Sequence, residues 1–100
     1  MKMVMGVVRA TCLERLVMEL ETINIRNMTI AEVKGIGEQI TLFKAYAIHK
    51  VILIIMQDEK ADEVADVILQ SARTGSAGDG IVAVCPVDYM VKIRTAERSE

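Results

Sequence analysis

The chain has 100 residues, enough for one domain around one core and too few for two. Apolar residues make up 52% of it but aromatics only 3%, so the interior must be filled by Val, Ile, Leu, Met and Ala, with a surplus that points to a subunit interface. The net charge is −2 and both signs are interspersed without a basic stripe, which argues against a nucleic-acid partner.

Residues 2–8 are rich in Val and Met and read as a first strand. Thr11 stands three residues before Glu14, the spacing of a capping box, and Leu13, Leu16, Val17 and Leu20 follow at helical spacing. The first helix is therefore expected over residues 12–21. Residues 28–34 (MTIAEVK) mix β-branched and polar positions and read as a second strand, stopped by Gly35 and Gly37. Residues 38–47 have no clear period and read as a loop.

Residues 48–56 hold a continuous apolar run, which reads as a buried central strand. The longest uninterrupted part of that run, residues 51–56, is far too short to span a bilayer. Asp58 is placed to cap a second helix, whose core stripe is Ala61, Val64, Ala65, Ile68, Leu69 and Ala72 and whose end is expected near Arg73. Small and turn-forming residues occupy 74–80, and residues 81–87 read as a fourth strand. Pro86 lies late in it and marks an edge or an exit. Residues 90–95 are expected to form a short last strand before a polar tail.

The order βαββαβ is the α+β, ferredoxin-like pattern: an antiparallel sheet with two helices on one face. No element remains for the other face, and burying it between subunits is the economical arrangement. Residues 1–8 lack the long apolar stretch of a signal peptide, so a soluble cytoplasmic protein without membrane insertion is expected. Cys12 and Cys85 have no metal-ligand spacing and are expected to be reduced, buried thiols.

Few residues carry chemistry. The glycines of residues 74–80 let backbone N–H groups converge on an anion, although no Gly-Lys-Ser/Thr follows, and a plain connecting loop has the same composition. On a strand, Lys92 and Arg94 share one face and form a cationic clamp for phosphate, or else a solvated edge. Gly35 and Gly37, followed by Glu38 and Gln39, form a candidate tight turn against a ligand. His49 is the only histidine, has no partner visible in the sequence, and is expected at the surface or its boundary. Met1, Met3 and Met5 share a strand face and read as core filler, with soft-metal binding as the sharper alternative. No nucleophile stands with a base, so catalytic residues and a metal site are not expected, and the chain reads as a regulator rather than an enzyme.

Four segments together resemble the PII signal-transduction family: residues 1–9 (MKMVMGVVR) its opening strand, residues 27–37 (NMTIAEVKGIG) its second strand and glycine turn, residues 72–80 (ARTGSAGDG) its B-loop, and residues 92–98 (KIRTAER) its C-terminal signature. The resemblance covers nearly the whole chain. It implies a homotrimer that binds an adenine nucleotide in clefts between subunits and acts on a target protein, a membrane transporter or a metabolic enzyme, through a T-loop at about residues 38–48. It further implies that Thr29, Gly35, Gly37 and Gln39 line one side of the cleft. Thr74, Gly75, Gly78, Asp79 and Gly80 would cradle phosphates, Lys92 and Arg94 would pair with their charge, and Lys50 would reach the outer phosphate.

The sequence also departs from the family pattern. Ile81 stands where a phosphate-binding Lys follows Gly-Asp-Gly, Glu38 replaces a basic residue, Lys92 replaces an Arg, and the third strand lacks the family's acidic residue. Each lost charged hydrogen bond is worth about 1.5–3 kcal/mol, which moves the implied ligand from ATP towards ADP or AMP and leaves magnesium open. The T-loop is shorter than the family norm, and modification is not carried over to Tyr46. The alternative is a trimer that has lost nucleotides and senses a metal or small anion, or serves only as an interaction module.

Overall fold

The computed structural model describes residues 1–35 and 47–100. In chain order these form β1 (Lys2–Arg9), a 3-10 turn (Ala10–Cys12), α1 (Leu13–Thr22), β2 (Thr29–Gly35), β3 (Ala47–Met56), α2 (Asp58–Ala72), β4 (Gly80–Pro86), β5 (Met90–Val91) and β6 (Arg98–Ser99). The first four strands make one antiparallel sheet in the order β2-β3-β1-β4, and β5 and β6 form a separate hairpin. This is the ferredoxin-like arrangement expected from the element order. Pro86 does end an edge strand, where its missing N–H interrupts no ladder.

Strand alternation sorts the sheet into two faces. Val4 and Val8 of β1 and Ile52 and Ile54 of β3 turn towards the helices. There they meet Leu16 and Leu20 of α1 and Ala61, Val64 and Ile68 of α2, all buried. Each buried Leu or Ile contributes about 1.5–3 kcal/mol. Gly6 lies under α2: a Cβ there would stand 3.2 Å from Ile68 Cγ2. The opposite face carries Met3, Met5 and Val7 beside Val51, Leu53 and Ile55 on one side and Ile81, Ala83 and Cys85 on the other. No described helix covers it, so Ile55 and Ile81 are exposed, and Cys85, expected to be buried, is only partly so, as is Cys12 in the 3-10 turn.

Several local expectations differ from the structure. The capping box of Thr11 and Glu14 does not form. The chain enters α1 from the 3-10 turn, so the N-cap is Cys12 in a helical conformation, without a side-chain cap bond. Asp58 is not the cap of α2 but its first residue, after Gln57, and its carboxylate lies 2.6 Å from the Met1 amino group. The expected strand over residues 90–95 stops at Val91. The backbone turns there, with the Lys92 N–H donating to Glu97 O (2.9 Å) and the Ala96 N–H to Lys92 O (2.7 Å). The expected polar tail instead supplies the return strand β6, and its Arg98 guanidinium sits 4.1 Å above the Tyr89 ring. Of the expected loop over 38–47, Ala47 belongs to β3 and the remainder lies outside the described residues. Ile48, placed at the end of the T-loop, is likewise a strand residue.

Candidate anion-binding loop

Helix α2 ends at Ala72, and residues 74–80 carry the chain back to β4. Three of them, Gly75, Gly78 and Gly80, have positive φ. Gly80 is required by space as well as by conformation, whereas near Gly78 stands only the end of a flexible arginine. A Cβ on Gly78 would stand 3.1 Å from Arg9 Nη2, and a Cβ on Gly80 would overlap the backbone carbonyl of Val7.

The loop closes on its own carboxylate. Asp79 Oδ2 accepts the N–H groups of Thr74 (2.8 Å) and Gly75 (2.9 Å), and Oδ1 accepts the Thr74 hydroxyl and Arg9 Nε (3.3 Å). Arg9 Nη2 also donates to Ala77 O at 2.9 Å. The Thr74 hydroxyl above all, then the backbone amides and Arg9, hold the Asp79 carboxyl well below the usual carboxylate range. A depressed folded-state pKa contributes stability above the ordinary carboxylate pKa and loses it only as pH falls through the depressed value. The loop is thus expected to stay closed through the pH range in which exposed carboxylates titrate. Asp79→Ala is expected to release the Thr74 and Gly75 amides, read as faster hydrogen exchange there; unchanged exchange would contradict this account of the closure.

The sequence-predicted residues fall into separate groups. Gly75, Gly78, Asp79 and Gly80 lie together with Thr74, but the Thr74 and Gly75 amides are committed to Asp79. Gly35 ends β2 at the same end of the sheet, since it pairs with Ala47 while β1 ends at Arg9 opposite His49. Lys50 lies near that end too, but on the helix-side face, with its Nζ 3.0 Å from Glu32 Oε1. Thr29 pairs with Leu53, six residues along β2 from Gly35, or about 20 Å at strand rise. Lys92 and Arg94 are not neighbours on a strand face. They occupy the exposed turn of the C-terminal hairpin, beyond the end of β4 opposite to Gly80. Gly37 and Gln39 lie outside the described residues.

Two participants were not assigned to the site from sequence. Arg9 is the cation that reaches the loop, and the only hint in the sequence is a lone charge ending an apolar strand. His49, expected at the surface or its boundary, is only 3% exposed, with Nε2 2.9 Å from Gly78 O. The correction has a physical cause: β-alternation sets His49 on the face opposite the helices, where Arg9 pairs with it from β1 and the loop packs over the strand end.

Comparison with known proteins agrees with this organisation. A family model described as "Nitrogen regulatory protein P-II" matches residues 1–97. The chain belongs to the PII family. It is 35% identical to nitrogen regulatory protein P-II 2 of Methanothermobacter thermautotrophicus, over 97% of this chain and 92% of the relative. It is 33% identical to nitrogen regulatory protein P-II of Microchaete diplosiphon, over 99% of this chain and 96% of the relative. The resemblance read from four segments is therefore borne out, and the PII relationship spans both the anion loop and the C-terminal turn. Among the described residues, no helix is long and apolar enough to cross a membrane.

Proposed function

We propose that this PII-family chain is a non-enzymatic signalling protein. It assembles as a homotrimer, binds an adenine nucleotide between subunits, and acts through the segment around residues 38–48 on a transporter or a metabolic enzyme. One observation carries the proposal. In a single chain the anion loop and the Lys92/Arg94 turn lie at opposite ends of β4, whose six residue steps span about 20 Å. A second copy that supplies one of the two halves would bring them together as a phosphate site. The apolar sheet face that no described helix covers provides the reason for copies to associate.

The same geometry favours ADP or AMP over ATP. Arg9 is engaged by Asp79 and Lys50 by Glu32, and Ile81 follows the loop where a cation would reach a further phosphate. Calorimetry with ADP, AMP and ATP tests the reading. ADP or AMP is expected to bind more tightly than ATP, and Arg94→Ala is expected to weaken binding about 10-fold or more, the loss of one charge-assisted contact. No binding by any of the three would defeat the nucleotide reading, and equal binding to the Arg94→Ala protein would remove the C-terminal turn from the site.

A further inference from the structure

His49 is the one buried polar side chain of the described core, and neither its burial nor its bond is used by the reading above. Its Nε2 lies 2.9 Å from the carbonyl oxygen of Gly78. A carbonyl oxygen only accepts, so Nε2 carries the proton and donates. Its Nδ1 is buried and has no hydrogen-bond partner among the described residues. Among the described residues, the ring's hydrogen bonding therefore runs through Nε2 alone.

That other nitrogen acts on a specific peptide group. Gly78 has φ +94 and supplies the carbonyl half of the peptide whose N–H belongs to Asp79. The Asp79 N–H donates to Ser76 O at 3.3 Å. The Gly78–Asp79 peptide is therefore held from both sides, by His49 through its oxygen and by Ser76 through its nitrogen. Its orientation sets where the Asp79 side chain leaves the backbone, and hence whether the carboxylate reaches Thr74, Gly75 and Arg9. His49 is also the third residue of β3, so the bond fixes the loop to a central strand of the sheet.

We infer that His49 is a positioning residue of the anion loop: by donating from Nε2 to Gly78 O it locks the Gly78–Asp79 peptide against β3 and holds the loop in its ligand-competent form. The second half of this statement rests on the nucleotide reading above; the first does not.

The test compares His49→Leu, which removes the donor, with His49→Gln, whose amide nitrogen offers a donor at similar reach. In the free protein, His49→Leu is expected to speed hydrogen exchange at Asp79 and Gly80 by about 3- to 10-fold, the loss of one neutral hydrogen bond, and His49→Gln to restore most of the protection. ADP affinity is expected to fall by a similar factor in His49→Leu and to recover in His49→Gln. Exchange in His49→Leu equal to wild type, or His49→Gln no better protected than His49→Leu, would overturn the role. Should wild type bind no ADP, the nucleotide reading fails while the exchange comparison still decides on His49. If both variants fail to fold, nitrogen-15 correlation spectra of the wild-type imidazole decide: a proton on Nε2 is expected, and a neutral ring protonated at Nδ1 instead overturns the inference.

Discussion

Gly80→Ala is expected to destabilise the fold by about 4 kcal/mol or more, a large part of the ~5–15 kcal/mol that holds a domain of this size together. Two costs add at this position. A backbone at φ +102 is costly for any residue with a Cβ, about 1–3 kcal/mol. The added carbon would also overlap the Val7 carbonyl, and Val7 belongs to β1, a central strand paired on both sides. A flexible side chain could move aside; a ladder carbonyl in the middle of a sheet cannot move without disturbing two strand pairings. Gly75→Ala is the control. Its φ is +88, yet nothing lies within 4 Å of the added carbon, so only the conformational cost of about 1–2 kcal/mol applies. Urea denaturation of both variants reads the difference. Equal midpoints would mean that the contact with Val7 adds nothing to the backbone cost.

The same two glycines illustrate what the sequence could and could not convey. The run Thr74-Gly75-Ser76-Ala77-Gly78-Asp79-Gly80 identifies a turn-forming, anion-suited loop by composition alone. It does not distinguish a glycine required by a neighbouring carbonyl from one in open space, because that neighbour is some seventy positions away in the chain. Separation in the chain also hid Arg9, 70 positions from Asp79, and His49, 29 positions from Gly78. Their partners Asp79 and Gly78 are brought to them by the β1–β4 and β1–β3 pairings, not by local spacing. The elements themselves were legible because their signals are local. The helical stripes of α1 and α2 and the apolar run of β3 lie within about a residue of where they were read. The errors arose where a short pattern has two outcomes. Thr11 and Glu14 have capping-box spacing, but the chain was already turning in a 3-10 conformation before α1. Residues 90–95 alternate like a strand, but Glu97 returns to bond Lys92 and makes a hairpin. That second error reaches the proposed site: Lys92 and Arg94 sit in an exposed turn rather than on a shared strand face, so the proposal has another copy bring them to a phosphate.

Leu53→Asp is expected to convert the assembly to folded monomers and to abolish nucleotide binding with it. Leu53 lies in the middle of the uncovered sheet face, between Met5 on β1 and Thr29 on β2. Its side chain takes no part in the core under the helices, so the monomer retains Val4, Leu16, Leu20, Ile52, Val64 and Ile68 in place. In an assembly that buries this face, each copy loses the roughly 1.5–3 kcal/mol of a buried leucine. Each also gains an unpaired carboxylate whose desolvation costs several kcal/mol more. Summed over the copies of the proposed trimer, this exceeds what a small oligomer can absorb. Light scattering gives the mass, and far-ultraviolet circular dichroism shows whether the chain stays folded. A Leu53→Asp protein that keeps the wild-type mass would show that this face is not the interface. A folded monomer that still binds ADP as wild type does would leave the interface in place and overturn the intersubunit site. Arg94→Ala completes the argument from the other side: Arg94 is an exposed residue outside the four-stranded sheet, so its loss leaves this face unchanged and should keep the assembly while affinity falls. Only a site built from two chains predicts that one substitution removes binding through assembly and the other without touching it.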